Sequence, residues 1–284
     1  MEKMLIFDEK DVRISLVDIE DATDSPNFRI LIENNSSFDL DFKIESFIIN
    51  GYAVECYMDA DVRSHKKKFE YLYVEDADWA CLLGLVGLKG IEDICSLGFS
   101  FKITFSGEDE EDDDEDYDED YDEDYDDDYD EDDCSDYEEK EDESLYLLTS
   151  LYEIKLKEFI QLNPNHGNSV YSNKGLNVCF IGTINDKYNV IKLIFLIENQ
   201  MNKHLFVDLE NVSLNDFMAE YDSYFECDLY GNTKRFAYLT FDEGYLKEIG
   251  VKNQGDVSSL DFEVVAYDKK SHKKLVKSSN IRLG

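Results

Sequence analysis

The chain has 284 residues, of which 67 are acidic and 28 basic, and its formal net charge is −39. Such a surface repels DNA, RNA and anionic lipid, whereas it attracts cations and basic proteins. Hydrophobic residues make up 43% of the chain and include 19 Tyr and 18 Phe. This composition predicts a mainly β protein with enough apolar side chains for two cores.

The sequence predicts neither a signal peptide nor a membrane span. Residues 1–8 contain no long apolar stretch before the first acids, and no window approaches 18 uncharged apolar residues. The cysteines share no CxxC spacing, so we expect free thiols in a reducing cytoplasm. They are Cys56, Cys81, Cys95, Cys134, Cys179 and Cys227.

The predicted strands of the first half alternate apolar and polar residues, beginning with residues 12–16, 28–32 and 38–44. Period-two alternation is typical of half-buried antiparallel strands. Asn50-Gly51 is a strong hairpin signal, because both residues tolerate positive φ. Further strands are expected at 54–58, 69–73 and 97–105. A short helix is predicted within 76–90, with Asp76 or Asp78 as its N-cap and Gly90 at its end.

A stretch of this pattern recurs 165 positions later. Leu31-Ile32-Glu33-Asn34 returns as Leu196-Ile197-Glu198-Asn199, and Asn50 returns as Asn215. The apolar positions around them keep the same spacing, and a helix is again expected, within 242–250, between strands at 236–240 and 260–266. A repeat of this length indicates two copies of one domain.

We therefore predict two tandem antiparallel β-sandwich domains, immunoglobulin-like in the broad sense, each with a short helix. The first domain spans residues 1–160 and the second spans residues 172–284, with a linker at 161–171. A disordered acidic loop, residues 107–144, is inserted in the last hairpin of the first domain. A sandwich accepts such a loop because the entropy of loop closure grows only logarithmically with length.

Within this loop, residues 108–143 hold 28 acidic residues and one lysine. Like charges at i,i+4 repel and Asp is a poor helix former, so an extended polyanion is expected. One interpretation is a loop that only aids solubility. Another is the docking of a basic protein, in which tyrosines add cation–π contacts. The residues assigned to partner binding are Tyr117, Tyr121, Tyr125, Tyr129, Asp118, Asp122 and Asp126.

Two further interpretations of the acidic tract stay open. Dense carboxylates favour weak Ca²⁺ binding, although the tract lacks the glycine that an EF-hand loop requires. Spaced carboxylates also suit a nucleic-acid mimic that occupies a phosphate-binding groove. We expect no direct nucleic-acid or membrane binding, and the sequence does not define an oligomeric state.

No catalytic, metal or cofactor site is predicted. The sequence contains no phosphate-binding, nucleophile-elbow or HExxH motif, and no histidine lies near a cysteine or second histidine at metal-ligand spacing. We therefore expect a non-enzymatic protein that needs no cofactor. The histidines, His65, His166, His204 and His272, are expected at the surface.

The remaining conspicuous residues are given structural roles. The asparagine pairs Asn34/Asn199 and Asn50/Asn215 are expected to shape turns. Glu33 and Glu198 are expected to face solvent at a strand end. Trp79 is expected to fill its own core, and Lys66-Lys67-Lys68 to form a solvated basic turn.

The repeated pattern combines a strand ending Ile-Glu-Asn, a strand leading to Asn50-Gly51-Tyr52 or Asn215-Asp216-Phe217, a short helix and a final hairpin. This resembles the uncharacterised immunoglobulin-like domains found in many proteins of low-GC Gram-positive bacteria. The resemblance covers about residues 8–158 and 172–284. It implies the sandwich fold, and it supplies no catalytic residues. Those domains often follow lipoprotein signals or membrane anchors, which the sequence does not show.

Overall fold

A computed structural model describes residues 3–22, 24–106, 145–157, 167–185, 190–219 and 223–284. The protein is mainly β, as the alternating sequence predicts. The strands up to residue 160 are β1 (Met4–Glu9), β2 (Val12–Glu20), β3 (Asn27–Asn34), β4 (Asp39–Ile49), β5 (Tyr52–Val54), β6 (Cys56–Tyr57), β7 (Asp59–Val62), β8 (Lys67–Val74), β9 (Ser96–Ser106), β10 (Leu145–Leu148) and β11 (Tyr152–Lys155).

The described part of the remaining chain contains eleven further strands, and one short α-helix lies in the described part of each half. The helices are α1 (Asp76–Cys81) and α2 (Glu243–Glu248). The strands are β12 (Asn168–Asn173), β13 (Leu176–Asn185), β14 (Ile191–Asn199), β15 (Leu205–Leu214), β16 (Phe217–Met218), β17 (Ser223–Tyr224), β18 (Cys227–Leu229), β19 (Thr233–Phe241), β20 (Leu260–Asp268), β21 (Lys274–Lys277) and β22 (Ile281–Leu283).

The strand order repeats between the halves. In the first half, β1-β2-β3-β8-β6 form one sheet and β10-β9-β4-β5 form part of a second. In the second half, β12-β13-β14-β19 and β16-β15-β20-β21 follow the same order. β3 lies between β2 and β8, and β14 lies between β13 and β19. The duplicated segments therefore occupy the same place in their sheets.

The alternation of the strands buries two hydrophobic clusters. Phe28, Phe47 and Phe99 meet at the centre of the first cluster, whose members come mainly from the first half. Phe195 and Phe262 pack edge to face in the second. Each buried phenylalanine contributes roughly 1.5–3 kcal/mol relative to an exposed one, so these alternate side chains determine which face of each strand turns inward.

Within the described residues, the sheets of the two halves join through one parallel strand pair, β5 with β19, in an eleven-stranded sheet. The Lys234 amide donates to the Gly51 carbonyl at 3.0 Å. Tyr52 and Phe236 stack with centroids 5.8 Å apart and an interplanar angle of 4°, and both are buried. We call this contact the internal junction.

The strands on either side of the acidic tract pair with each other. β9 and β10 are antiparallel, with Phe105 opposite Leu145. Residues 107–144 therefore connect two neighbouring strands of one sheet. β10 was not among the strands predicted from the sequence.

Two other segments differ from the sequence prediction. The predicted strand 54–58 is divided between β5 and β6, because Cys56 and Tyr57 leave the sheet of β4 and pair with β8 instead. Residues 168–171, assigned to the linker 161–171, belong to β12, which pairs with β13. β12 was missed because it is polar and lies at a sheet edge, where no apolar face is required.

Among the helices of the described ranges, none combines the length and the apolar character needed to cross a membrane.

Candidate functional site

A groove with a volume of about 710 Å³ lies beside α1. One wall is the exposed face of α1 and of the π-helical turn that follows it, Leu82–Val86. The other wall comes from β13, β14 and β19, so both halves of the chain contribute. We call it the α1 groove. Its lining consists of Glu75, Asp76, Ala77, Ala80, Cys81, Gly84, Leu85, Ile184, Lys192, Ile194 and Tyr238.

Small residues on α1 keep this groove open. Trp79 and Leu82 turn inward and are buried in the first core, as predicted for Trp79. On the opposite face, Ala77, Ala80 and Gly84 are exposed. Because their side chains are short, the space between the helix and the strands remains unfilled.

The boundaries of α1 correct the predicted capping. Its N-cap is Glu75, which makes no side-chain capping bond, rather than Asp76 or Asp78. The π-helical turn ends at Gly87, which adopts a left-handed conformation with φ 87°, rather than at Gly90. Asp78 does not cap the helix because its side chain points into the protein.

Asp78 is the centre of a buried polar cluster at the base of the groove. One carboxylate oxygen accepts a hydrogen bond from the Tyr238 hydroxyl at 3.2 Å. The other accepts from the Glu55 backbone amide. The Cys81 thiol lies 3.2 Å from the same tyrosine oxygen. Since Tyr238 belongs to β19, the cluster joins α1 to the second half of the chain.

Burial controls the ionisation of this cluster. It raises the pKa of Asp78 to about 7, an effect that the Tyr238 hydrogen bond opposes and the neighbouring Glu75 charge reinforces. Burial also raises the pKa of the Cys81 thiol and of the Tyr238 hydroxyl. Near neutral pH the thiol is therefore protonated.

This environment does not activate the Cys81 thiol as a nucleophile. A nucleophilic cysteine needs a lowered pKa, usually from a neighbouring cation or helix N-terminus. Cys81 instead neighbours a carboxyl group, and both oxygens of Asp78 already accept hydrogen bonds. The cluster thus fixes α1 against β19 and leaves the groove as a shaped surface.

The groove is apolar along its floor and charged at its rim. Ile194 is buried below the surface, whereas Ile184 is 40% exposed. Glu75 and Asp76 are exposed at the start of α1. Across the groove, the Lys192 ammonium lies 5.6 Å from the Tyr238 ring centroid. An apolar segment flanked by basic residues would match this lining.

The residues assigned to partner binding in the acidic tract, Tyr117, Tyr121, Tyr125, Tyr129, Asp118, Asp122 and Asp126, lie outside the described residues. The α1 groove was not predicted from the sequence. The one available signal was Asp78, a carboxylate within the apolar run Ala77-Asp78-Trp79-Ala80. The distant partner Tyr238 could not be found from local sequence.

The repeated asparagines have the structural role that was predicted. Asn34 donates to the carbonyls of Phe38 and Val62, and Asn199 makes the corresponding bonds to Lys203 and Leu229. Each also accepts a backbone amide two residues later.

The second asparagine pair does more than shape its own turn. Asn50 and Asn215 have φ of 52° and 51°. Asn50 donates to Asp93 and accepts from the amides of Cys95 and Ser96. Asn215 bonds in the same way to the segment before β20. Each asparagine therefore ties the β4 or β15 turn to the entry of the last long strand.

Glu33 differs from its predicted exposure. It is buried and forms ion pairs with Lys3 and Lys67, at 2.6 and 2.5 Å. The hydrogen bonds from Lys3 and Lys67 hold its pKa at about 2. The prediction for Glu33 was wrong because residues from outside its own strand cover the strand end. Glu198 is half-buried and pairs with Lys234.

The histidines and cysteines show no cluster in the described part of the chain that could hold a metal ion. His65 and His272 are exposed, as expected, and His204 is half-buried, stacked on Tyr230. His166 and Cys134 lie outside the described residues. The free cysteines are Cys56, Cys81, Cys95, Cys179 and Cys227.

Comparisons with known proteins leave the function undefined. No family model matches the chain, and no curated protein matches it. Among solved structures, the chain is similar to a protein of unknown function from Porphyromonas gingivalis W83, with 9% sequence identity and a TM-score of 0.23. The match covers 94% of this chain and 97% of the other.

Proposed function

We propose that this chain is a non-enzymatic, cytoplasmic protein-interaction module built from two tandem immunoglobulin-like sandwiches. Its α1 groove takes an apolar, basic segment of a partner protein, and the acidic tract recruits the same partner. The observation that carries the proposal is the groove itself, with an apolar floor, two acidic residues at the start of α1, Lys192 on the opposite wall and a polar cluster whose hydrogen bonds are already made.

Charge supports a basic partner. The net charge of −39 attracts cationic proteins over distances that depend on ionic strength, so the tract raises the association rate while the groove provides the specific contact. The repeated strand order and the repeated asparagine bonds support the two-sandwich architecture. The free cysteines of the described ranges support a reducing compartment.

A displayed library of random 12-residue peptides, selected on the full chain, tests the groove. We expect selected peptides to combine apolar residues with Lys or Arg. The Gly84→Trp variant should abolish their binding, because a Cβ at this position meets no atom within 4 Å and the indole can extend into the groove. Ser271→Trp, in an exposed turn, is the matched control.

The same assay tests the α1 groove and the acidic tract separately. Replacing residues 108–143 by a short neutral linker should slow association and leave dissociation unchanged. If the selected peptides bind the Gly84→Trp variant with the same affinity as the original chain, the groove is not their binding site. Unchanged association rates without the tract would remove the tract.

A further inference from the structure

The internal junction has an unpaired counterpart at each end of the molecule. Because the strand order repeats, β5 corresponds to β16, and Tyr52 corresponds to Phe217, 165 positions later. The pairing registers of β3 with β8 and of β14 with β19 place Phe69 in the position of Phe236. Phe217 and Phe69 are therefore the positional equivalents of Tyr52 and Phe236, the stacked pair of the internal junction.

These two counterparts are exposed. Tyr52 and Phe236 are 6% and 4% exposed, whereas Phe217 and Phe69 are 53% and 51% exposed. Met218, beside Phe217, is 60% exposed. The Arg29 guanidinium lies 4.3 Å from the Phe69 ring centroid and covers one face of that ring. Phe69 and Phe217 nevertheless each leave about half of their surface exposed, whereas their equivalents are stacked and buried.

The backbone at both positions also lacks the partner that its counterpart has. Among the strands of the described ranges, β16 pairs with β15 alone, and the start of β8 pairs with β3 alone. Their counterparts β5 and β19 each pair on the second side, through the parallel contact of the internal junction. Unpaired strand edges beside exposed apolar residues favour strand addition.

We infer that two copies of this chain associate head to tail, with β16 of one copy alongside β8 of the next. Phe217 then stacks on Phe69 as Tyr52 stacks on Phe236, and the parallel backbone contact is repeated between chains. The contact is heterologous, since the two surfaces differ, so each added copy leaves one unpaired surface at each end.

The charged side chains at the two surfaces already have ion-pair partners within the chain. Lys67 and Lys68 correspond to Lys234 and Arg235, and the guanidinium of Arg235 pairs with Glu55 across the internal junction. Beside Phe217 lies the exposed Asp216. Lys67 pairs with Glu33, Lys68 with Glu70 and Asp216 with Arg282. The proposed contact therefore depends on aromatic stacking and strand pairing rather than on charge.

Sedimentation velocity of the full chain, at concentrations up to about 1 mM, tests the inference. That limit matches the effective concentration that a short linker gives the internal junction. We expect a weight-average mass that rises with concentration and continues beyond the dimer. Added NaCl should strengthen association, because it screens the repulsion between acidic chains.

Two single variants distinguish this contact from other kinds of self-association. Phe69→Ser and Phe217→Ser should each be monomeric alone, since each lacks one of the two surfaces. Their equimolar mixture should form a 1:1 dimer that does not grow. Leu5→Ser, at another exposed apolar residue, should associate like the original chain.

Two results would overturn the proposed head-to-tail contact. A monomeric original chain across this concentration range overturns the inference. Self-association of either single variant also overturns it, because a two-fold symmetric contact would then be responsible. Circular dichroism of both variants checks that they fold, which their half-exposed positions lead us to expect.

Discussion

At the scale of single residues, Asp78 shows how a buried carboxyl group can join two parts of a fold at a cost. It receives one hydrogen bond from Tyr238 and one from the Glu55 amide, but its charge is removed from water. The raised pKa means that the folded protein favours the protonated acid. Ionisation of Asp78 at higher pH therefore weakens the folded state.

We predict that Asp78 makes the protein less stable as pH rises. The contribution is fully present below its unfolded pKa of 3.8 and is lost as pH rises through the folded value of about 7. Asp78→Asn should remove this dependence and raise the free energy of unfolding above pH 7 by roughly 2–4 kcal/mol. Urea unfolding between pH 5 and 8, followed by fluorescence of the single tryptophan, Trp79, measures the effect.

Asp76→Asn, on the exposed side of the same helix, is the control and should leave the pH dependence unchanged. If the free energies of unfolding of Asp78→Asn and the original chain differ by the same amount from pH 5 to 8, the assigned ionisation of Asp78 is wrong. Glu33 gives a pH dependence of the opposite sign, because its folded pKa is lowered from 4.5 to about 2. Its stabilising contribution is fully present above about pH 4.5 and is lost as pH falls towards 2.

The asparagine pair provides a test of equivalence between the halves. Asn50→Ala should lower the free energy of unfolding by about 3 kcal/mol, because it removes three hydrogen bonds and places alanine at positive φ. Asn50→Gly should cost about 1 kcal/mol less, since glycine tolerates the left-handed conformation. Asn215→Ala should act in the same direction but less strongly, because Asn215 is more exposed. Thermal and urea unfolding measure all three variants, and a stable Asn50→Ala protein would contradict this account.

At the scale of elements, the β9–β10 hairpin carries the acidic tract as its connection. Closing a loop of this length costs conformational entropy that a tight turn avoids. We predict that replacing residues 107–143 by Asn-Gly, between Ser106 and Ser144, raises the free energy of unfolding by about 2 kcal/mol. Urea unfolding measures the change.

A matched control replaces the same residues by a neutral Gly/Ser linker of equal length, which retains the loop entropy and removes the charge. The difference in free energy of unfolding between this variant and the Asn-Gly variant measures the cost of loop closure without the contribution of electrostatic repulsion. Lower stability in both variants would mean that the tract makes stabilising contacts with the rest of the chain.

The elements also show what sequence periodicity can and cannot predict. Alternation identified β2, β3 and β4, and the Asn50-Gly51 signal identified the hairpin between β4 and β5, because these features depend on neighbouring residues. The burial of Glu33 and the Asp78–Tyr238 contact depend on residues far away in the chain. The internal junction was not predicted either, because period two tells which face is buried and not which edge pairs.

At the scale of the whole molecule, charge opposes compactness. The formal net charge is −39, and 28 of the acidic residues lie between 108 and 143. The ion pairs of the described strands, such as Lys277 with Glu263 and Lys203 with Asp268, use several of the few cations and are mostly exposed. Exposed pairs of this kind contribute little each, so they do not offset the general repulsion.

We predict that salt stabilises this protein and that most of the effect depends on the acidic tract. Raising NaCl from 10 to 150 mM shortens the screening length from about 30 Å to about 8 Å. The Tm of the full chain should rise by roughly 3–6 °C, which corresponds to about 1–2 kcal/mol for a protein of this size. The neutral Gly/Ser variant should show a much smaller rise in the same calorimetric scans, since its loop has the same length and lacks the charge. Equal shifts in the two proteins would place the repulsion in the folded sheets themselves, where the remaining acidic residues lie.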